Sequence, residues 1–357
     1  MILLLTRNAI SRSRKEKPSD CRSAQIATIR SPTISIMRSM ASACVKTALI
    51  LDIAGTLMIT SGEERMRSDE AKKLFVKTVD SLCGRHSRWK IWQDMIWMFA
   101  ATISNAVDAE YREKRENQFH DVAKQYSEAE MNTFSELFAQ LVMIFEHGHK
   151  LGSYRDFLGE LFMELGLGND AGGQFFTPYS VSKCMAEITM PDYIQDQIEK
   201  RGYVAVYDCA CGAGATLIAA ADVMIHEYKI NYQQTALFIA QDIDYTTALM
   251  CYIQLSLLGC AGYVHVGNTL TDPMTGHVLF GDRKDTTWYT PLYFAPVWDM
   301  RRQAELMRRV FYGMEHRTSE APQQPEPAKP AEPQPSIIQV SGKQAKRKPK
   351  GQLMFEI

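Results

Sequence analysis

The chain has 357 residues, of which 46% are hydrophobic and 23% are charged, with 14 Pro and 21 Gly. This composition is typical of a folded globular protein and excludes collagen-like, low-complexity and disulfide-scaffold chains. The formal net charge is −1, but residues 1–40 carry +6, residues 41–335 carry −11 and residues 336–357 carry +4. The middle of the chain is therefore acidic, and it is poorly suited to neutralising nucleic-acid phosphates by itself.

Eight cysteines occur without any C-x-x-C pair and without histidines at zinc-site spacing. This pattern predicts neither a disulfide framework nor a metal site, and it favours a reducing cytoplasm. The longest apolar stretch, residues 44–59, is interrupted by Lys46 and Asp52. Since a membrane span needs about 18 uncharged apolar residues, we expect no membrane association.

Two interpretations are open for residues 1–65. Residues 6–40 are rich in Arg and Ser and poor in acidic residues, so their composition is similar to that of a transit peptide. The alternative is a start codon placed too early, with Met37, Met40 or Met66 as the true start. We treat residues 1–65 as a leader without a structural role, either disordered or not translated.

Apolar residues recur at three- and four-residue intervals from Ser68 to about Gly166, which is the signal of amphipathic helices. The helical segments predicted from this periodicity are residues 68–83, 88–105, 109–126, 128–147 and 154–165. Trp89 and Trp92 lie on one apolar stripe, and tryptophans at helical spacing are far more often packing residues than a base-stacking or cofactor surface. We therefore predict a helical domain over residues 66–168.

After Gly166 the pattern changes to short β-branched runs that alternate with helices. The predicted strands are residues 203–207, 236–240 and 263–266, and the predicted helices between them are residues 215–226 and 245–258. This βαβαβ order predicts a parallel sheet with right-handed crossovers. The pattern weakens after Pro273, where we predict one further strand over 288–294 and a basic helix over 296–312. The predicted domains are thus 169–316 for this α/β part and 317–357 for a Pro-rich linker and basic tail.

The strongest local signal is the run Asp208-Cys209-Ala210-Cys211-Gly212-Ala213-Gly214, which lies between a predicted strand and a predicted helix. Glycines allow the backbone to turn sharply there and let a ligand approach the edge of the sheet. The next strand ends at Asp242, whose carboxylate can accept hydrogen bonds from both hydroxyls of a ribose. A dinucleotide site would need a third glycine where the chain has Leu217, and an acid about 20 residues further on rather than 28. Both departures argue against NAD or FAD.

Four motifs in fixed order carry a family resemblance. They are Gly173-Gln174-Phe175-Phe176-Thr177-Pro178, the D-x-x-C-G-x-G of residues 208–214, Gln241-Asp242-Ile243-Asp244 and Gly267-Asn268-Thr269-Leu270. Together they resemble the N6-adenine DNA methyltransferases, and most closely the modification subunit of type I restriction-modification systems. The resemblance covers about residues 68–295. It implies an α/β protein in which a helical N-terminal domain precedes a Rossmann-like S-adenosylmethionine-dependent methyltransferase domain, here shortened in its C-terminal half.

The resemblance also implies which residues bind the cofactor S-adenosylmethionine: Gln174, Phe176, Thr177, Pro178, Asp208, Gly212, Ala213, Gly214, Asp242 and Asn268. The segment around Thr177 and Pro178, with Thr as helix N-cap and Pro at the first helical position, would lie against the methionine part. Asp208 and the backbone of the glycine-rich run would hold the amino-acid end. Asp242 stands where the family has a ribose-binding Glu, and Asn268 where it usually has an Asp that accepts from the adenine amino group. The alternative is that these are turn glycines and a solvated strand end.

The catalytic N-P-P-[YF] motif of this family does not occur in the chain. In the family this loop holds an adenine that is flipped out of the duplex. At the expected place, 22 residues after Asn268, the chain has Thr290-Pro291-Leu292-Tyr293. We predict Thr290, Pro291 and Tyr293 as a degenerate catalytic loop, although a Thr hydroxyl does not supply a planar amide oxygen. The alternative is a chance T-P-L-Y at a strand start.

Two functions follow from the resemblance. The first is an S-adenosylmethionine-dependent DNA adenine-N6 methyltransferase, or the methylating subunit of one, in a system of the restriction-modification type, with DNA bound mainly through a separate specificity or DNA-binding subunit. The alternative is a catalytically impaired relative that keeps the cofactor pocket and acts as an assembly or regulatory partner. A third hypothesis places a salt-sensitive nucleic-acid contact in the basic tail, Lys343 to Lys350.

Overall fold

The computed structural model of the protein describes residues 61–168 and 176–319, and it contains the five predicted helices of the N-terminal part. They are α1 (Ser61–Leu82), α2 (Arg88–Val107), α3 (Arg112–Ala123), α4 (Glu128–Lys150) and α5 (Phe157–Glu164). Local capping explains several of their first residues. The Ser87 side chain accepts from the backbone N–H of Lys90 at the start of α2, and Ser127 and Glu130 form a reciprocal capping box at the start of α4.

Strands and helices alternate in the remaining part, as the sequence predicts. In chain order the elements are α6 (Tyr179–Thr189), α7 (Ile194–Arg201), β1 (Val204–Asp208), α8 (Ala215–His226), α9 (Tyr232–Thr235), β2 (Ala236–Asp242), α10 (Tyr245–Leu257), β3 (Ala261–Val266), β4 (Thr287–Tyr289), a 3-10 helix (Pro291–Phe294) and α11 (Pro296–Ser319). The chain is thus a mixed α/β protein with a helical region and a shortened methyltransferase-like sheet. None of the described helices combines the length and apolarity needed to cross a membrane.

The sheet described by the structure has four strands in the order β1-β2-β3-β4. The first three are parallel, as predicted, with Asp208 beside Ala240 and Asp242 beside Val266. The fourth strand is antiparallel to β3. It is also shorter than the predicted strand over 288–294, because Pro291 lacks an N–H for the ladder and begins the 3-10 helix instead.

Both faces of the sheet are covered, because successive side chains of a strand point to opposite faces. Phe238 and Ala240 of β2 belong to a large core cluster that includes the helical region. Leu237 and Ile239 belong to a second cluster, formed with residues between Leu279 and Trp298. Of the two tryptophans on the predicted apolar stripe, Trp92 is fully buried in the larger cluster and packs there as predicted, whereas Trp89 is 37% exposed.

The described residues up to Leu306 form one compact unit, and the described residues from Met307 onwards, at the end of α11, belong to a second. Within the first unit, the helical region and one face of the sheet share a single hydrophobic cluster. The finer domain boundaries given by the sequence, at residues 65, 168 and 316, stay predictions.

Arg115 on α3 joins the helical region to the edge of the sheet. Its side chain is 3% exposed, and its guanidinium donates to the Asp108 carboxylate (3.2 Å) and to the backbone carbonyl of Thr287 on β4 (3.1 Å). The guanidinium also lies 4.0 Å from the centre of the Trp288 ring. A buried cation therefore has its charge and its donors satisfied by groups from both parts of the chain.

Asp156 makes a second connection of this kind at the start of α5. Its Oδ1 accepts from the backbone N–H of Gly159 (2.9 Å), which caps the helix, and from Nε2 of Gln254 on α10 (2.6 Å). The residue is 3% exposed, and burial raises the pKa of its carboxyl group to about 6. A carboxyl group is thus held in the core mainly by hydrogen bonds to neutral donors.

We expect Arg115→Ala to lower the free energy of unfolding by about 3–5 kcal/mol, because it removes the nearer cation of the buried Asp108 carboxylate and leaves it only the longer contact with Arg283 (4.0 Å). Arg88→Ala is the matched control, since it removes an exposed ion pair with Asp80 and is expected to cost less than about 1 kcal/mol. Urea unfolding followed by circular dichroism measures both. Equal losses in the two variants would contradict the role given to Arg115.

We expect the free energy of unfolding of wild type to fall relative to that of Asp156→Asn as pH rises from about 4 to about 7. The carboxyl group is protonated in the folded protein up to about pH 6 but ionises near 3.8 when unfolded. Its stabilising contribution is therefore complete at low pH and is lost as pH rises through about 6, a change on the order of 3 kcal/mol. The neutral Asn keeps the acceptor without titrating. Urea unfolding at several pH values, with Asp121→Asn as an exposed control, measures the difference, and a pH-independent difference would refute it.

Candidate functional site

The carboxyl ends of the three parallel strands meet at one edge of the sheet, and they bring three of the predicted site residues together. Asp208 ends β1, Asp242 ends β2, and Asn268 follows β3 by two residues. The backbone N–H of Gly267 donates to the carbonyl of Asp242 (2.9 Å), and the Thr269 hydroxyl donates to the carbonyl of Cys209 (2.6 Å). The segments that follow the three strands are therefore joined directly to one another.

Gly214 occupies a position in the glycine-rich loop, residues 208–214, that no other residue could take without strain. Its φ is +98°, and its backbone N–H donates to the carbonyl of Cys211 (2.8 Å) before α8 begins. A Cβ atom at this position would lie 2.8 Å from Sγ of Cys251. The glycine is thus required both by backbone conformation and by close contact with α10.

Gly212 brings the loop against an aromatic side chain. Its φ is +53°, and a Cβ atom there would lie 3.3 Å from the ring of Phe176. The Phe176 ring stacks on Phe162 of α5, with centroids 5.3 Å apart and planes 25° apart. The structure therefore places Phe176 beside the loop, where the sequence predicts a cofactor contact.

The Asp242 carboxylate accepts three hydrogen bonds from this edge of the sheet. One oxygen accepts from the backbone N–H of Gly212 (2.7 Å), and the other accepts from the N–H of Asp244 (2.9 Å) and the Thr247 hydroxyl (3.3 Å). The side chain is only partly buried. Since a carboxylate has about four acceptor sites, one remains available for a hydroxyl group of a ligand.

The Asp208 carboxylate is likewise partly buried and partly committed. It accepts from the backbone N–H of Ala210 (3.0 Å) and from the Thr216 hydroxyl at the start of α8. Ala213, by contrast, is almost fully buried, so only its backbone could face a ligand. Asp208 is therefore a negative group at the mouth of the loop, suited to a cationic amine.

Thr177 and Pro178 are exposed and precede α6, but the predicted cap is wrong by one residue. The helix begins at Tyr179, with Pro178 as the N-cap and no side-chain cap bond. The carbonyl of Pro178 accepts from the N–H groups of Val181 and Ser182, so Pro178 takes the capping position with an extended ψ of 139°. Gln174, also predicted to bind the cofactor, lies outside the described residues.

Asn268 forms a turn at the end of β3. Its side-chain oxygen accepts from the backbone N–H of Leu270 (2.9 Å), and its carbonyl accepts from the N–H of Asp272 (2.7 Å). The side-chain oxygen is therefore engaged locally, while the residue remains partly exposed at the edge of the sheet.

Four further residues contribute to this edge without having been assigned a role from the sequence. Gln241 is fully buried and donates to the carbonyls of Gly267 (3.3 Å) and Asp272 (2.8 Å), and Thr269 holds the loop after β1 as described above. Ile243 and Leu270 are 69% and 90% exposed, although both are large apolar side chains. Each could have been found from its position in the sequence: Ile243 directly follows Asp242 at the end of β2, and Leu270 comes two residues after Asn268. Two exposed apolar side chains beside polar groups are suited to flank a flat ring.

A groove of about 340 Å³ lies along β1, between α6, α7 and α8. Its walls include Met185 and Ile194, and it reaches the Asp208 and Thr216 side chains at the end of the strand. Among the described residues, β1 pairs only with β2, so its outer edge carries no strand. Because Asp208 and Thr216 line it, the groove ends beside the glycine-rich loop.

Thr290 lies at the opposite edge of the sheet from this site. Because β4 is antiparallel to β3, its last residues reach the amino end of β3, roughly 15–20 Å from the carboxyl end. The Thr290 hydroxyl is fully buried, donates to the carbonyl of Cys260 (2.7 Å) and accepts from the N–H of Gly262 (3.0 Å). In this arrangement it has no exposed surface to offer a substrate.

Pro291 and Tyr293 are also buried in the core at that edge. The Tyr293 hydroxyl donates to the carbonyl of Leu279 (2.9 Å), and its ring lies 4.7 Å from the ring of Tyr289 and 4.2 Å from the Arg302 guanidinium. The Tyr293 side chain is thus enclosed by protein groups and is 1% exposed. The structure does not bring Thr290, Pro291 and Tyr293 to the site, and it gives no support to the catalytic role predicted for them.

Two cysteines follow the end of β1: Cys209, which is exposed, and Cys211, which is buried. Within residues 61–168 and 176–319, no three His, Cys, Asp or Glu side chains are grouped as metal ligands. A hydrogen bond with Cys251, together with burial, raises the pKa of the Cys211 thiol well above its ordinary value. The arrangement can therefore bind a ligand through carboxylates, loop backbone and apolar surface, and the raised pKa favours the neutral form of the Cys211 thiol.

A family model described as N-6 DNA Methylase matches residues 155–304. The match begins just before α5, covers all four strands and the glycine-rich loop, and ends within α11. Every described residue that the sequence assigns to the site falls inside it. This match supports the family resemblance found in the sequence, that to the N6-adenine DNA methyltransferases, over residues 155–304.

Proposed function

We propose that the chain binds S-adenosylmethionine at the carboxyl edge of the sheet and acts as the methylating subunit of a DNA adenine-N6 methylation system of the restriction-modification type. The observation that supports this most strongly is the convergence of separate motifs at one place. Asp208, Asp242 and Asn268 lie at that edge, and the Gly212 N–H donates to the Asp242 carboxylate there. The match of residues 155–304 to the N-6 DNA Methylase family model supports DNA as the substrate.

The residues at this edge fit the parts of S-adenosylmethionine. The Asp208 carboxylate would bind the ammonium group of the amino-acid end, beside the backbone of Gly212, Ala213 and Gly214. The remaining acceptor capacity of Asp242 suits ribose hydroxyls. When bound, the cofactor supplies an activated methyl group on its sulfonium.

The adenine and methionine parts would contact different surfaces. Ile243 and Leu270 are exposed on either side of the strand ends and would flank the adenine ring, with Asn268 beside its amino group. Phe176, whose ring lies against Gly212, would pack near the methionine part together with Thr177 and Pro178. This fit would account for the exposure of the large apolar side chains of Ile243 and Leu270 beside the strand ends.

DNA would be bound mainly through a separate specificity or DNA-binding subunit. The supporting observation is the charge of −11 over residues 41–335, which would repel a phosphate backbone. A cytoplasmic location belongs to the same proposal, since the six described cysteines are all free thiols.

One observation favours a second candidate function. The antiparallel β4 carries Thr290 and Tyr293 away from the strand ends and buries them. A chain with this arrangement would keep the cofactor site but lack its own base-holding loop. It would then act as a catalytically impaired assembly or regulatory partner in DNA modification.

We expect Asp242→Ala to weaken binding of S-adenosylhomocysteine, the stable product form of the cofactor, at least about 10-fold. The change removes the proposed ribose acceptor and the acceptor for the Gly212 N–H, each worth on the order of 1 kcal/mol or more. Asp121→Ala, which alters an exposed carboxylate on α3, is the control and should bind as wild type does. Isothermal titration calorimetry provides the measurement, and unchanged affinity in Asp242→Ala would exclude this site.

Transfer of labelled methyl groups to DNA separates the two functions. The methylating subunit should transfer methyl groups to adenine when it is co-expressed with its neighbouring proteins, whereas the impaired relative should transfer none under the same conditions.

Thr290→Val tests the predicted catalytic loop in an active preparation. Because the Thr290 hydroxyl is buried at the other edge, we expect the transfer rate per folded molecule to stay within about twofold of wild type. A tenfold loss of rate would correspond to about 1.4 kcal/mol of activation free energy. Loss of transfer with an unchanged urea midpoint would restore the catalytic role predicted for this loop.

A further inference from the structure

The side chain of Gln254 is buried at the junction of three elements: α10, the start of α5 and the glycine-rich loop. Its Nε2 donates to the carbonyl of Ala213 (2.8 Å) and to Oδ1 of Asp156 (2.6 Å), and its Oε1 accepts from the backbone N–H of Leu158 (3.1 Å). The residue is fully buried, and both of its amide hydrogens are used. Such a side chain has one orientation available to it, because any other leaves buried donors unpaired.

The bond to Ala213 fixes one peptide group of the loop. The carbonyl of Ala213 and the N–H of Gly214 belong to the same planar peptide unit. The carbonyl accepts from Gln254, and the N–H donates to the carbonyl of Cys211 (2.8 Å). The plane is thus held at both ends, and its orientation determines the φ of +98° at Gly214.

The other contacts of Gln254 lie in the first turn of α5. The N–H of Leu158 is one of the amides that a helix cannot satisfy internally, and Asp156 caps the N–H of Gly159. Helix α5 reaches the loop a second time through Phe162, whose ring stacks on Phe176 beside Gly212. The loop is therefore held by α5 from two directions.

We propose that Gln254 is a positioning residue that holds the peptide between Ala213 and Gly214 in its cofactor-binding orientation and couples that orientation to the seating of α5. The inference rests on the proposed function, in which the loop binds the amino-acid end of S-adenosylmethionine. It assigns the effect of Gln254 to that end of the ligand alone, because the ribose and adenine would be bound by Asp242, Ile243 and Leu270.

The test compares two ligands that differ in the amino-acid end. S-adenosylhomocysteine has the carboxylate and ammonium groups, whereas 5′-methylthioadenosine keeps the adenosine and lacks both. We expect Gln254→Leu, which keeps the side-chain volume and removes the polar atoms, to bind S-adenosylhomocysteine about 10-fold more weakly, as loss of one loop hydrogen bond predicts. Its affinity for 5′-methylthioadenosine should stay within about twofold of wild type, because the adenosine contacts are unchanged.

Gln233→Leu is the matched control. Gln233 is also a buried glutamine, and its Nε2 donates to the carbonyl of Leu258 (3.3 Å), away from the loop. This variant should bind both ligands as wild type does, even where it is equally destabilised in urea. If Gln254→Leu fails to fold, Gln254→Met replaces it, since Met has a similar length and also lacks the donor to Ala213.

Each outcome decides the inference. A loss confined to S-adenosylhomocysteine supports it, whereas unchanged binding, or an equal loss for both ligands, overturns it and leaves the proposed function in place if wild type binds S-adenosylhomocysteine. A wild-type protein that binds neither ligand overturns the proposed function and this inference together.

Discussion

The hydrogen bond from the backbone of Gly212 to the carboxylate of Asp242 is the interaction on which the site depends. It joins the loop after β1 to the end of β2, across 30 residues of sequence. Because the same carboxylate also accepts from Asp244 and Thr247, the acidic side chain organises the start of α10 as well. A single charged group thus sets the shape of the loop and leaves an acceptor for a ligand, which accounts for an acid in this place even before any ligand is considered.

The helical region is part of the same structure as the sheet and not an independent support. Arg115 donates to a carbonyl of β4, Gln254 bonds to the first turn of α5, and one hydrophobic cluster spans both parts. Each polar connection is buried and fully paired, so breaking either part of the pair would leave a donor or acceptor without a partner. Helical periodicity reveals the individual helices, but these long-range bonds depend on tertiary packing that a periodic pattern does not encode.

The sequence predicts the boundaries of the three parallel strands to within two residues, because β-branched runs and their bounding glycines are local signals. It also brings Asp208, Asp242 and Asn268 to one edge, since parallel strands end on the same side. The direction of β4 was not predictable, because a strand of three residues carries no directional signal and pairs according to what its connection allows. Helix α6 begins at Tyr179, one residue later than predicted. Thr and Pro are both common near a helix start, and the sequence alone does not fix which of two adjacent positions each one takes.

The antiparallel direction of β4 has a consequence for engineering the chain. The connection between β3 and β4, residues 267–286, leaves the sheet beside Asp242 and returns to it beside Val266, where the Val266 N–H donates to the carbonyl of Thr286 (2.9 Å). Both ends of this connection are thus anchored next to the carboxyl edge of the sheet. A base-binding loop grafted into this connection would start and finish at the carboxyl ends of the parallel strands. A loop grafted after β4 would start at their amino ends and would first have to run the length of the strands.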